Sequence, residues 1–133
     1  MQNTGGKTAL GLDNNIGAML CYVANLVCYL GLIYSIIVLV TDKENKLPRF
    51  HAMQSITLFA TSLVLFIPGY LISIALVMMQ SSITSLLATL VWLVLMLIGI
   101  AMFVFMVISA IKAYNGEVYK IPVIGNLADK WSN

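Results

Sequence analysis

The sequence predicts an all-α integral membrane protein: three transmembrane helices with a short interfacial C-terminal segment, in a single membrane domain over residues 1–133. Three observations predict it. Of 133 residues, 61% are hydrophobic and 9% charged, with a mean hydropathy of +0.98, whereas soluble domains hold roughly 45–50% apolar and about 25% charged residues. The apolar residues gather into three runs, 16–40, 50–79 and 83–111, each long enough to cross a bilayer at about 20 residues per span. None of the three runs contains Asp, Glu, Lys or Arg.

The first run follows fifteen mostly polar residues, MQNTGGKTALGLDNN, in which Asp13 or Asn14 can cap a helix N-terminus. No small-residue cleavage site follows a short apolar core, so the first run is expected to be retained rather than removed as a signal. Cys21 and Cys28 lie seven residues apart on this predicted helix, about 10 Å along its axis, too far to pair with each other. Along the same helix Gly17, Cys21, Ala24, Cys28, Gly31 and Ser35 recur at spacings of four and three. Such a seam of small residues lets helix backbones approach closely in lipid, where packing replaces the hydrophobic drive.

A compact charged turn, TDKENKLPR, leads to the second run, with Pro48 suited to the first turn of a helix. Within that run Pro68-Gly69 marks a candidate hinge, because proline removes a backbone hydrogen bond and clashes with the preceding turn. The simpler alternative is a static kink whose freed carbonyl is satisfied by a nearby Ser or Thr. The short uncharged connection QSSITS makes the second and third spans an antiparallel hairpin. In the third, Gly99, Met102, Met106, Ser109 and Ala113 repeat the small-residue rhythm less regularly. The tail, residues 112–133, carries Gly116, Pro122 and Gly125 as breaks and is too interrupted to span, so it reads as a membrane-surface segment.

With three spans, Lys43, Lys46, Arg49, Lys112, Lys120 and Lys130 share one side and Lys7 lies on the other. The positive-inside rule then places the tail in the cytoplasm and the N-terminus outside, as expected in a cytoplasmic (inner) membrane. The net charge of +2, with no Lys/Arg cluster interleaved with aromatics, argues against nucleic acid as a partner. Proton-coupled carriers place ionisable groups inside their spans, so the charge-free runs argue against that class too. Asn25, mid-span beside the small-residue seam, fits a bond across a helix interface better than a substrate contact.

The stretch RFHAMQS holds the one histidine of the chain. On a helix His51, Gln54 and Ser55 fall at i, i+3 and i+4 and share a face, with Arg49 a turn before. Arg49, His51, Gln54 and Ser55 are therefore the candidate polar interaction motif. Three roles stand open: bracing the charged turn and the tail, meeting lipid headgroups or a partner subunit, or a ligand role for His51. Arg49 suits phosphate oxygens or a pair with Asp42 or Glu44. Zinc sites need three or four His, Cys or carboxylate ligands, and the chain has no glycine-rich phosphate loop, G-x-S-x-G elbow or H-E-x-x-H. No catalytic residue, metal or cofactor is expected.

RFHAMQS after the K-E-N-K turn, the opening KTALGLDNNIGAMLCY and the ending IKAYNGEVYKIPVIGNLADKW together resemble the small prokaryotic relatives of a chloroplast protein-import component, the Tic-twenty-like family. The resemblance spans nearly the whole chain and implies a link to protein transport, with no established catalytic role for the polar motif. Two functional readings result. The first is a non-enzymatic accessory or scaffold subunit packed against lipids and a larger membrane assembly, or against copies of itself. The alternative is a component of a protein-translocation or small-solute transport assembly.

Overall fold

The computed structural model describes residues 6–27 and 29–132. It is helical: α1 (Asn14–Val23), a 3₁₀ turn (Ala24–Leu26), α2 (Leu30–Thr41), α3 (Lys46–Met78), α4 (Ser82–Tyr114) and α5 (Ile124–Ser132). The chain divides into two compact units, one drawn from Met1–Phe59 with Val104–Asn133 and the other from Ala60–Phe103.

The first unit corrects the expected first span. The chain does not continue as one helix over residues 16–40: α1 stops at Val23, tightens into 3₁₀ geometry, and passes Tyr29 in the left-handed region at φ 59° before α2 begins. The turn is closed by Val27 N–H donating to the Ala24 carbonyl at 3.1 Å and Leu30 N–H to the Val27 carbonyl at 3.0 Å. Asn25 holds it from the side, its Nδ2 donating to the Cys21 carbonyl at 3.2 Å and to Ser55 Oγ at 3.0 Å. At 10 and 12 residues, α1 and α2 are about 15 and 18 Å long, each well short of a ~30 Å hydrocarbon core. They form a helical hairpin. Its open end is tied by Asn14 Nδ2 donating to Asn45 Oδ1 at 3.2 Å and Asn45 Nδ2 donating to the Lys7 carbonyl at 3.1 Å.

Among the described residues, two helices are therefore long and apolar enough to cross a membrane, α3 and α4, rather than three. Residue 7 sits beside the 42–45 turn, and Gly6 shares a recess with Tyr114 at the end of α4.

The core of this unit is built from small residues: Ala18, Cys21, Ala52, Ala110 and Ala113 pack with Tyr22, Val38 and Leu47. Pro48 is buried in the first turn of α3, where its missing N–H has no intrahelical partner to lose. The end of α4 is set by Gly116, at φ 77°: its N–H meets the Ala113 carbonyl at 3.0 Å and that of Glu117 meets the Lys112 carbonyl at 2.9 Å. This doubly bonded left-handed cap turns the chain into the tail. Amphipathic α5 then buries Gly125, Ala128 and Ser132 and leaves Leu127 and Trp131 exposed.

The second unit is the α3–α4 hairpin of residues 60–103, closed by a turn in which Gln80 is left-handed at φ 51°. Pro68 lies inside α3, which continues through it without a break. A Cβ on Gly69 would stand 2.8 Å from Leu95 Cδ1, so the absent side chain lets α4 come close there. Ser73 Oγ donates back to the Gly69 carbonyl at 2.8 Å.

Candidate functional site

The first unit folds the polar motif inward. His51, Gln54 and Ser55 occupy one face of α3 and are almost wholly buried, at 0%, 0% and 1% exposure. Each binds a different part of the unit. Ser55 Oγ donates to the Cys21 carbonyl at 2.7 Å, the last full turn of α1. Gln54 Nε2 lies 2.9 Å from the Tyr22 hydroxyl, 3.0 Å from the Tyr119 carbonyl and 3.3 Å from Ser109 Oγ, while its Oε1 accepts the Ile121 N–H at 3.2 Å. One amide thus joins α1, α4 and two main-chain groups of the tail.

The direction of the protons follows from the partners. His51 Nε2 lies 3.1 Å from the Glu117 carbonyl, which only accepts, so the ring hydrogen belongs on Nε2. Nδ1 is then an acceptor for the Tyr22 hydroxyl at 2.9 Å, and the Tyr22 oxygen accepts in turn from Gln54. The line runs Gln54 to Tyr22 to His51 to the Glu117 carbonyl, each bond polarising the next. A neutral imidazole satisfies both ring nitrogens. The ring is also enclosed by Tyr22 and Phe50 in edge-to-face contacts, with centroids 5.6 and 5.3 Å away.

Arg49 belongs to the same assembly by a separate route. Its Nε donates to the Ser132 carbonyl at 3.1 Å, and its Nη1 lies 3.0 Å from the Leu39 carbonyl and 3.4 Å from that of Asp42. These are carbonyls left open at the ends of α5 and α2, which carry the negative end of each helix dipole. Arg49 makes no ion pair with Asp42 or Glu44 among the described residues, because these carbonyls take its fork; Asp42 Oδ1 instead accepts Asn45 Nδ2 at 2.7 Å.

The small-residue seam is split by the hairpin, so that Gly17 and Cys21 lie on α1 and Gly31 and Ser35 on α2. Cys21 and Ser35 are fully buried. A Cβ on Gly17 would stand 2.6 Å from Thr8 Cγ2 and 3.1 Å from the Tyr34 hydroxyl, and one on Gly31 would stand 2.6 Å from the Asn25 backbone nitrogen. Ala24 is half-buried in the 3₁₀ turn, and Cys28 lies outside the described residues. Pro68 and Gly69 belong to the second unit and take no part in this cluster. The sequence reading placed Ser109 in a packing series and left Tyr22 unassigned. A hydroxyl on an apolar helix at no special spacing gives no signal until the hairpin turns it toward His51.

The fold and this cluster define a small α-helical membrane protein whose polar string is an internal latch of the first unit, tying the short helical hairpin and the C-terminal tail to residues 49–55 of α3. The chain belongs to the family described as the magnetosome magnetite crystal formation protein family, MamF/MmsF, whose model matches residues 13–128. It is similar to two membrane proteins of Methanocaldococcus jannaschii, UPF0132 membrane protein MJ1443, 37% identical over 96% of each chain, and UPF0132 membrane protein MJ1527, 36% identical over 92% of this chain and 73% of that one. A UPF0132 membrane protein of Archaeoglobus fulgidus is 30% identical over 90% of this chain and 95% of its own. These matches overturn the resemblance to the Tic-twenty-like family, since the same motif-bearing residues fall within the MamF/MmsF match and its relatives. No solved structure matches the chain.

Proposed function

We propose that the chain is a non-enzymatic membrane scaffold, an accessory subunit that presents its long apolar helices to copies of itself or to a larger membrane protein. The observation that carries this reading is where the polar groups go. His51, Gln54 and Arg49 direct their nitrogens at side chains and main-chain carbonyls of their own unit, which braces a fold and leaves no pair poised to act on a substrate. Residues 60–103 carry no charged side chain, and Val64, Leu71, Leu86, Trp92 and Leu97 lie exposed along α3 and α4. Small-residue contacts such as Gly69 against Leu95 favour close helix association in lipid. The family's description concerns magnetite crystal formation; a scaffold that organises a membrane surface is compatible with that setting without contacting mineral itself. Blue-native electrophoresis after extraction in a mild detergent tests the reading. The 14.6 kDa chain is expected in a species larger than its monomer, and migration only as the free monomer counts decisively against a scaffold.

The charged unit is further inferred to face the cytoplasm. All seven Lys and Arg belong to the unit that holds residue 7, the 42–45 turn and the tail, and the positive-inside rule assigns that side to the cytoplasm. Reporters fused to the N-terminus and to the C-terminus should both read cytoplasmic. An extracytoplasmic N-terminal reporter restores a third crossing and refutes the assignment.

A further inference from the structure

Two open recesses of the first unit share two walls, Lys46 at the start of α3 and Ser132 at the end of α5. One, of about 410 Å³, also holds Lys120 and Asp129; the other, of about 420 Å³, is completed by Lys43, Glu44 and Arg49. Their charges differ. Lys120 is already paired with Asp129 at 2.7 Å, whereas Lys43 and Lys46 are exposed and make no ion pair among the described residues. Arg49 directs Nε and Nη1 at main-chain carbonyls, which leaves both N–H groups of Nη2 without an acceptor among the described residues. The second recess therefore gathers three cations against the one carboxylate of Glu44.

An apolar line borders these recesses. Val123, Leu127 and Trp131 recur at every fourth position and are exposed, while α5 buries another face through Gly125, Ala128 and Ser132. Small residues hold α5 against the unit and the large ones project away from it. Trp131 directly precedes Ser132, the wall common to both recesses, and Lys130 is exposed beside it. Tryptophan and lysine together on an amphipathic helix suit the boundary between hydrocarbon and headgroups. The depth agrees: α3 has 33 residues, about 50 Å of helix against a ~30 Å hydrocarbon core. Its first turn, which carries Lys46 and Arg49, can stand among headgroups.

We propose that the recess walled by Lys43, Lys46 and Arg49 binds the phosphate of an anionic phospholipid, with Val123, Leu127 and Trp131 lying on the acyl chains of the same leaflet. Charge complementarity argues for this occupant. Three cations around one carboxylate favour a ligand of net negative charge over a zwitterion, and guanidinium donors fit phosphate oxygens. The adjoining apolar line favours a lipid over free phosphate, which has nothing to place on α5. The proposal stands apart from the scaffold reading, which concerns residues 60–103.

The chain has two tryptophans, so a Trp92→Phe protein reports from Trp131 alone, which is 56% exposed. The full-length variant is reconstituted in phosphatidylcholine vesicles with a small fraction of phosphatidylglycerol. In one set the phosphatidylglycerol chains carry bromine, a quencher of tryptophan fluorescence; in the other an equal amount of the phosphatidylcholine does. Phosphatidylglycerol is expected to quench as though enriched about fivefold at Trp131, the scale of one basic side chain at an anionic membrane surface. Lys46→Gln should lower the enrichment to about twofold or less. Lys112→Gln removes the same charge outside both recesses and should leave the enrichment unchanged. Inorganic phosphate, added at constant ionic strength, should not displace the lipid. Equal quenching by the two lipids, no quenching by either, equal effects of Lys46→Gln and Lys112→Gln, or enrichment abolished by inorganic phosphate each overturns the proposal.

Discussion

Replacing Gln54 by Leu is expected to destabilise the first unit by roughly 2–4 kcal/mol and to release the tail, because buried polar groups stripped of their partners cost about 1–3 kcal/mol each. The apolar side chain fills similar space but leaves the Ile121 N–H, the Tyr119 carbonyl and the Tyr22 hydroxyl without the partner that now joins them. Ile121 is buried at 2% exposure, so the Lys120–Ile121 bond should resist trypsin in the original chain and become the first site cut in the variant. Gln54→Glu sharpens the test. Its carboxylate still accepts the Ile121 N–H but donates nothing to Tyr119 or Tyr22, so it should release the tail as well. A Gln54→Glu protein with the original trypsin resistance would show that the donor half of the latch contributes little.

Gly31→Ala is expected to cost about 1–3 kcal/mol, the range for forcing a methyl into a packed site, and to act on topology as well as stability. The added Cβ would stand 2.6 Å from both the backbone nitrogen and the Oδ1 of Asn25. The side-chain oxygen can swing aside. The backbone nitrogen belongs to the 3₁₀ turn and can move only if that turn is rebuilt. The easiest rebuilding continues α1 into α2 as one long helix, which would carry the N-terminus across the membrane. Loss of helicity on heating in detergent measures the first effect, and an N-terminal reporter that moves to the opposite side measures the second. Gly69→Ala is the control: its Cβ would meet Leu95 Cδ1 at 2.8 Å, the far end of a flexible side chain, so a loss below about 1 kcal/mol is expected. Equal losses at the two glycines would contradict the assignment of the Gly31 contact to backbone.

The two long helices are legible in the sequence because their signal is local: an uninterrupted apolar run with Pro48 at one start and a Gly116 cap at one end. The hairpin is not, because the break at residues 24–29, ANLVCY, contains neither glycine nor proline. It is imposed from outside, by Ser55 drawing Asn25 across and by Gly31 accepting the close approach. A continuous helix and a hairpin have the same composition and nearly the same periodicity, and only the tertiary partner of Asn25 separates them. The shared face of His51, Gln54 and Ser55 could be read from their spacing. Their partners could not, since most are main-chain carbonyls and amides, which no residue type announces. The tail shows the same division: its breaks at Gly116, Pro122 and Gly125 excluded a span, whereas its docking uses Gly125, Ala128 and Ser132, too small to stand out.

The segregation of charge bears on how the chain enters a bilayer. Every Asp, Glu, Lys and Arg falls outside residues 60–103, and the turn that joins α3 to α4 within that stretch has only Gln80 and serines as polar groups. Moving an ionised side chain to the bilayer centre costs about 2.5–3.5 kcal/mol on insertion scales, and that toll is absent here. The α3–α4 turn can therefore enter a bilayer as a neutral finger, with no ionised side chain of its own to carry through the hydrocarbon core.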